Sequence, residues 1–165
     1  GGVYLGPLIY LTAVSAAERG QFSQAFRSRI RNTECFRAFD IDQFIREPQG
    51  ENLPASVCAG EKDRTALLTI VHRLYERAAK LVAINLTAVL EEAGLGRDAA
   101  HPALIAAEGS SFWKSSLFLP QLKEKMEAFT HKSRGLSFEI LSVPHANLIG
   151  SAAAALLNRQ ESSVS

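Results

Sequence analysis

The chain has 165 residues, of which 47% are hydrophobic and 21% charged, with a formal net charge of +1. That length and composition suit one globular domain with a proper core, and the near-neutral balance gives no electrostatic reason to expect nucleic acid or an acidic membrane surface as partner. Two isolated cysteines, Cys35 and Cys58, and four scattered histidines lack metal-ligand spacing, and such cysteines suit a reducing, cytoplasmic setting.

The opening, "GGVYLGPLIYLTAVSAA", is apolar, but it has no basic leader and Glu18 and Arg19 soon interrupt it. It therefore reads as neither a signal peptide nor a membrane span. With Met126 as the single methionine, the chain reads as a piece of something longer.

In chain order, apolar residues at Leu5, Leu8, Ile9, Ala13 and Ala16 predict a helix from Tyr4 to Arg19, stopped by Gly20. Ser23 is the expected N-cap of a second, short helix, which carries the basic cluster Arg27, Arg29 and Arg31 as a solvated face. A third helix is expected after Asp40, with Ile41, Phe44 and Ile45, ending at Pro48. From Pro48 to Gly60 the Pro, Gly, Asn and Ser content predicts a loop. The longest element runs from about Glu61 to Ala93, its wide apolar stripe including Leu67, Val71, Tyr75, Val82 and Val89, with Gly94 as its C-terminal cap.

Beyond Gly94, "ALIAA" at Ala103–Ala107 reads as a buried strand, apolar on both faces, and Pro120–Phe129 as a helix with Leu122, Met126 and Phe129 on one side. "LSFEILS" gives a second strand centred on Phe138–Leu141, and Asn147–Asn158 a final helix rich in small residues. Strand, helix, strand, helix argues for a parallel βαβ unit. Residues 1–165 form a single region, with 159–165 expected as a disordered tail.

Ligands of an open parallel sheet bind outside the carboxyl ends of its strands. Two loops occupy that place, "EGSSFWK" (Glu108–Lys114) and "PHANLIG" (Pro144–Gly150). Gly109 permits a tight turn, Ser110 and Ser111 bring hydroxyls and amides suited to phosphate oxygens, and the last helix aims its positive end at the same rim. Each signal has a plainer reading: a simple turn, a tightly packed helix, and a solvated Lys114. Asn85, which follows Ala78 and Val82 on the apolar stripe, is read either as a hydrogen-bonded core asparagine or as a contact to a base or ribose.

These segments resemble the hexokinase family. "GGVYLGPLI" is similar to the family's S-G-M-Y-L-G-E-I, and Glu76–Leu90 ("ERAAKLVAINLTAVL") to its R-R-A-A-x-L-x-G-A-x-x-A-A-V helix. "LIAAEGSSFWK" resembles V-G-V-D-G-S-L-Y-K, and "GSAAAAL" resembles the G-A-A-L-I-T-A-V that follows D-G-S-G-K. The four segments keep the family's order across most of the chain. The resemblance implies the carboxy-terminal part of a large domain with an actin-like ATPase (ribonuclease H-like) fold, and transfer of phosphate from ATP, with Mg2+, to a hexose. It implies nucleotide contacts at Gly109, Ser110, Ser111, Gly150 and Ser151, with Asn85 beside the nucleoside. The departures are Ala146–Ile149 in place of a Gly-Ser-Gly loop, Asn85 in place of a glycine, and one extra residue in the first loop. The family's catalytic aspartate and sugar-binding residues precede the segment matched by "GGVYLG", so no catalytic residue is expected in this chain. A non-catalytic sugar or nucleotide sensor and a helical interaction domain are the alternatives. Self-association, or pairing with the amino-terminal part through the open strand edge, is also expected.

Overall fold

The computed structural model describes residues 4–162, a helix-rich α/β arrangement with one two-stranded parallel sheet. The first half is helical: α1 (Leu5–Glu18), α2 (Gln24–Arg31), α3 (Ala38–Arg46), α4 (Leu53–Val57) and the long α5 (Glu61–Glu92). The second half holds β1 (Ala103–Ala107), α6 (Ser110–Lys114), α7 (Phe118–Met126), β2 (Phe138–Ser142) and α8 (Ala146–Ser162). β1 and β2 pair in parallel with Ala103 opposite Phe138 and Ala107 opposite Ser142, so the expected βαβ unit is present.

Local chemistry explains most boundaries. Ser23 accepts the Phe26 N–H at 3.1 Å and caps α2. Gly94 ends α5 with φ +67: its N–H bonds the Glu91 carbonyl at 3.1 Å, and the Leu95 N–H bonds Leu90 at 2.9 Å. Those two bonds are a Schellman closure, which satisfies carbonyls that a helix end otherwise leaves unpaired.

Two expectations need correction. Asp40 lies inside α3, not before it; the helix starts at Ala38 because the Asp40 carboxylate reaches back to the Arg37 N–H at 2.8 Å, ending the chain's extended run there. Within the expected loop 48–60, Asn52 accepts the Ala55 N–H at 2.9 Å and Pro54 fits a first helical turn, which together nucleate α4. A third difference is length. α7 continues as a π-helical turn over Glu127–Lys132, beyond the expected Phe129, and brings Thr130 fully inward. There Thr87 spends its proton on the Ala83 carbonyl (2.7 Å) and so accepts from the Thr130 hydroxyl at 2.7 Å. α8 runs through residues 159–162, and the rest of the expected tail, 163–165, lies outside the described residues.

α5 is the spine. Its buried residues fall at Asp63, Leu67, Val71, Tyr75, Ala79, Ala83, Thr87 and Leu90, one narrow line at helical spacing. The first half of that line joins Ile9, Ala13, Phe26, Ile30, Phe36, Ile41 and Phe44 in one core. The second half joins Ala103, Leu122, Met126 and Leu136 in another. Phe118 packs against both. The sheet turns Ala103, Ile105, Phe138 and Ile140 toward this second core, whereas Leu104 on the other face is 65% exposed. β1 is therefore apolar on both faces, as expected, but only one face is covered.

The opening motif has a packing reason. A Cβ on Gly6 would collide with the Phe36 carbonyl and lie 2.7 Å from the Arg37 carbonyl carbon, so α1 touches the backbone leading into α3. In an exposed helix Gly→Ala gains about 1 kcal/mol. We expect the opposite sign at this site: Gly6→Ala should lower the unfolding free energy by roughly 1–3 kcal/mol, as overpacking against backbone does. Urea titration of the two proteins checks it, and a gain in stability would refute the close approach.

A second expectation concerns Asp63, which is buried at the start of α5. It accepts the Ser23 N–H (2.9 Å), the Ser23 hydroxyl (2.7 Å) and the Ala59 N–H (2.9 Å). Burial pushes its pKa up, but those three bonds and the nearby Arg29 charge outweigh it and hold the carboxyl below its ordinary value of 3.8. Because the folded pKa is the lower one, Asp63 contributes stability above about pH 4 and loses it as pH falls through the folded value. Asp63→Ala should cost roughly 2–4 kcal/mol at pH 7 and flatten the acid limb of a stability-against-pH curve. An unchanged acid limb in the variant would contradict the assignment.

Candidate functional site at the carboxyl edge of the sheet

β1 and β2 end in register, Ala107 opposite Ser142, so the two loops expected to hold a ligand do leave from one sheet edge. Gly109 turns with φ +118 and ψ 130, a region open to glycine and few others, and a Cβ there would meet nothing within 4 Å. The segment expected as a loop after it is helical: α6 begins at Ser110, with the Phe112 and Trp113 N–H groups on the Gly109 carbonyl at 3.2 and 3.3 Å. The Trp113 indole N–H bonds the Ala107 carbonyl at 3.1 Å and pins α6 over the end of β1. The side chains of Ser110 and Ser111 lie outside the described residues. Lys114 is exposed, as the plainer reading expected.

At the second loop His145 adopts φ 58 and α8 starts at Ala146. The Ala146–Ile149 segment is thus the first helical turn. Its Ala146 N–H bonds Val143 at 3.3 Å, and the Ile149 N–H bonds the His145 carbonyl at 3.0 Å. Gly150 and Ser151 follow as the fifth and sixth helical residues, past the turn whose N–H groups are free to meet a ligand. Both are exposed, and a Cβ on Gly150 would meet nothing within 4 Å. What Gly150 offers is room, not a donor.

The structure joins the two loops by a contact that the sequence did not suggest: the Glu108 carboxylate accepts the Asn147 N–H at 3.3 Å. A negative group at a helix start is favoured by the dipole, the same physics that would favour a phosphate there. Asn85 stands apart. It is exposed on α5, away from the Ala79–Ala83–Thr87 line, so the core-asparagine reading is corrected. The apolar stripe is narrower than its composition implied; Leu81 and Val89 are exposed as well.

Other titratable groups serve the frame. Burial pushes the Cys58 thiol up to about 12, with the Asp63 charge adding to it; the thiol donates to the Pro54 carbonyl at 3.4 Å. Arg29 bonds the Cys58 carbonyl at 3.1 Å and Arg31 pairs with Glu18 at 3.2 Å, so two members of the basic cluster have structural partners. Among the described residues, no group of three or more His, Cys, Asp or Glu is placed to hold a metal ion, and no helix is long and apolar enough to cross a membrane.

A family model described as Hexokinase matches residues 1–157 of the chain. The chain belongs to the hexokinase family. The match takes in α1 through most of α8, and with them both loops of the sheet edge. No curated protein matches the chain. Membership in the hexokinase family connects the chain with kinases that phosphorylate hexoses.

Proposed function

We propose that this chain supplies part of the nucleotide site of an ATP-dependent hexose kinase, as the carboxy-terminal part of a large domain with the actin-like ATPase fold. The observation that carries the reading is the convergence of the Gly109 turn and the start of α8 at the carboxyl ends of two registered parallel strands, in a chain of the hexokinase family. Gly109 leaves open space at the strand end, Ser110 and Ser111 follow it, and Gly150 and Ser151 leave the flank of α8 clear for a polyphosphate. Asn85, on the outer face of α5, would meet the nucleoside only from that exposed side. Bound MgATP supplies the phosphoryl group; the Mg2+ would come with the phosphates. The base that activates the hexose hydroxyl, and the sugar site, belong to the amino-terminal part of the enzyme.

Gly150→Val tests the α8 assignment, because a Cβ there meets nothing within 4 Å, so a branched side chain projects into the space of approach. In the intact enzyme it should raise the KM for ATP by about tenfold while leaving the KM for hexose nearly unchanged, the pattern of a lost binding contact confined to one substrate. Steady-state kinetics with each substrate varied would read it, and unaltered ATP kinetics would remove α8 from the site.

The second reading is a non-catalytic relative that binds sugar or nucleotide without turnover. Two features favour it: the Glu108 carboxylate already takes a first-turn N–H of α8, and the exposed Leu148 and Ile149 make that turn apolar. Under the first reading the isolated chain still lacks its catalytic base, so pure chain should release no ADP in a hexose-dependent way. A coupled ADP assay decides this, and measurable hexose-dependent turnover would place the base within these residues.

A further inference from the structure

The segment that follows the Gly109 turn is held from outside its own half of the molecule. The Asp42 carboxylate, on α3, accepts the Ser116 N–H at 3.2 Å and the Ser116 hydroxyl at 3.3 Å. One turn along the same helix, the Arg46 guanidinium donates to the Lys114 carbonyl at 3.2 Å and pairs with Asp42 at 2.8 Å. Between those two points the Ser115 hydroxyl accepts the Phe118 N–H at 3.0 Å. Phe118 then enters both cores. Two residues, Lys114 and Ser116, are thus bonded to side chains from α3, 68 and 74 residues away in sequence.

This arrangement is more than a tether. α6 is a single short turn, tied at its start by the Gly109 turn and the Trp113 bond to Ala107, with Phe112 packed against the second core. A turn of that length has little stability of its own. Its position over the strand end therefore depends in part on where its far end is held, and Asp42 and Arg46 hold that end. The pair is also well built for that task. An i,i+4 Asp–Arg pair on one helix face pre-orients both side chains, so each of their bonds to the loop forms at a lower entropic cost.

We propose that Asp42 and Arg46 are positioning residues for the nucleotide loop, setting the placement of residues 109–116 from the helical half of the molecule. The inference rests on the assignment of the Gly109 turn to the nucleotide site. It means that affinity for the nucleotide is tuned from α3, a helix outside the carboxyl edge of the sheet.

Amide exchange on this chain reads the structural half directly. Asp42→Ala should speed exchange at residues 109–116 by about tenfold or more, with protection in α1 and α5 unchanged, as a local opening does. Asp42→Asn keeps an oxygen acceptor for Ser116 and should restore most of the protection; Arg46→Ala should fall between. In the intact enzyme Asp42→Ala should raise the KM for ATP several-fold and leave the KM for hexose alone, with Gly109→Val run beside it as the control for the loop itself. Unchanged exchange at 109–116 overturns the proposal. Faster exchange with an unchanged ATP KM, while Gly109→Val raises it, overturns the link from α3 and leaves the loop assignment standing. Unchanged ATP KM in both variants removes the loop from the nucleotide site and the proposal with it.

Discussion

A buried carboxylate sets the geometry of the helical half. Asp63 sits in the first turn of α5, where the helix dipole favours a negative charge, yet it is turned inward and almost wholly covered. Burying a charge costs several kcal/mol unless its oxygens are matched, and here three donors from two separate segments match them. Ser23 is the N-cap of α2, and Ala59 is the link from α4, so one side chain registers α2, α4 and α5 against each other. Apolar contacts alone are non-directional and would tolerate sliding; the matched carboxylate does not. The helices around it are short, and their hold on the long one is what allows α5 to act as a spine.

Along that spine the two cores are consecutive rather than merged. The step from Tyr75 to Ala79 marks the change: large side chains before it fill spaces between helices, small ones after it let α7 and the sheet come close. Ala79 and Ala83 do for α7 what Gly6 does for the α3 entry, allowing backbones to approach. Where no alanine or glycine permits contact, hydrogen bonds take over, as in the Thr87–Thr130 pair, which matches both hydroxyls inside a buried interface.

Much of this was legible from residue pattern alone because the strongest signals are local. Ser23, Gly94, the period of α5 and the β1 and β2 runs each carry their reason within a few residues. The start of α3 was misplaced because Asp40 resembles an N-cap, whereas it works from the third helical position back onto Arg37. α4 was hidden because Pro54 and Asn52 are loop residues by composition and helix starters by position. Asn85 was drawn toward the core by Ala78 and Val82, which are themselves only half-buried; the exposed Leu81 and Val89 show how far composition overstated the stripe. At the sheet edge the two loops could be paired from the order of strands and helices. Glu108 meeting Asn147, and Asp42 meeting Ser116, could not, since neither pair shares a periodicity or a motif and the second spans 74 residues.

The parallel pairing of β1 with β2 has a consequence for synthesis on the ribosome. Parallel strands cannot close through a hairpin, so β1 must wait until residue 138 has been made before it gains its partner. The first core draws its buried residues from Ile9 to Tyr75 and can condense as that stretch emerges. The second half of α5 is then displayed with Ala79, Ala83, Thr87 and Leu90 uncovered while about fifty further residues are translated, several seconds at ordinary elongation rates. During that interval the nascent chain carries an apolar helix face and an unpaired strand. It is the stage at which a chaperone would find the most to hold.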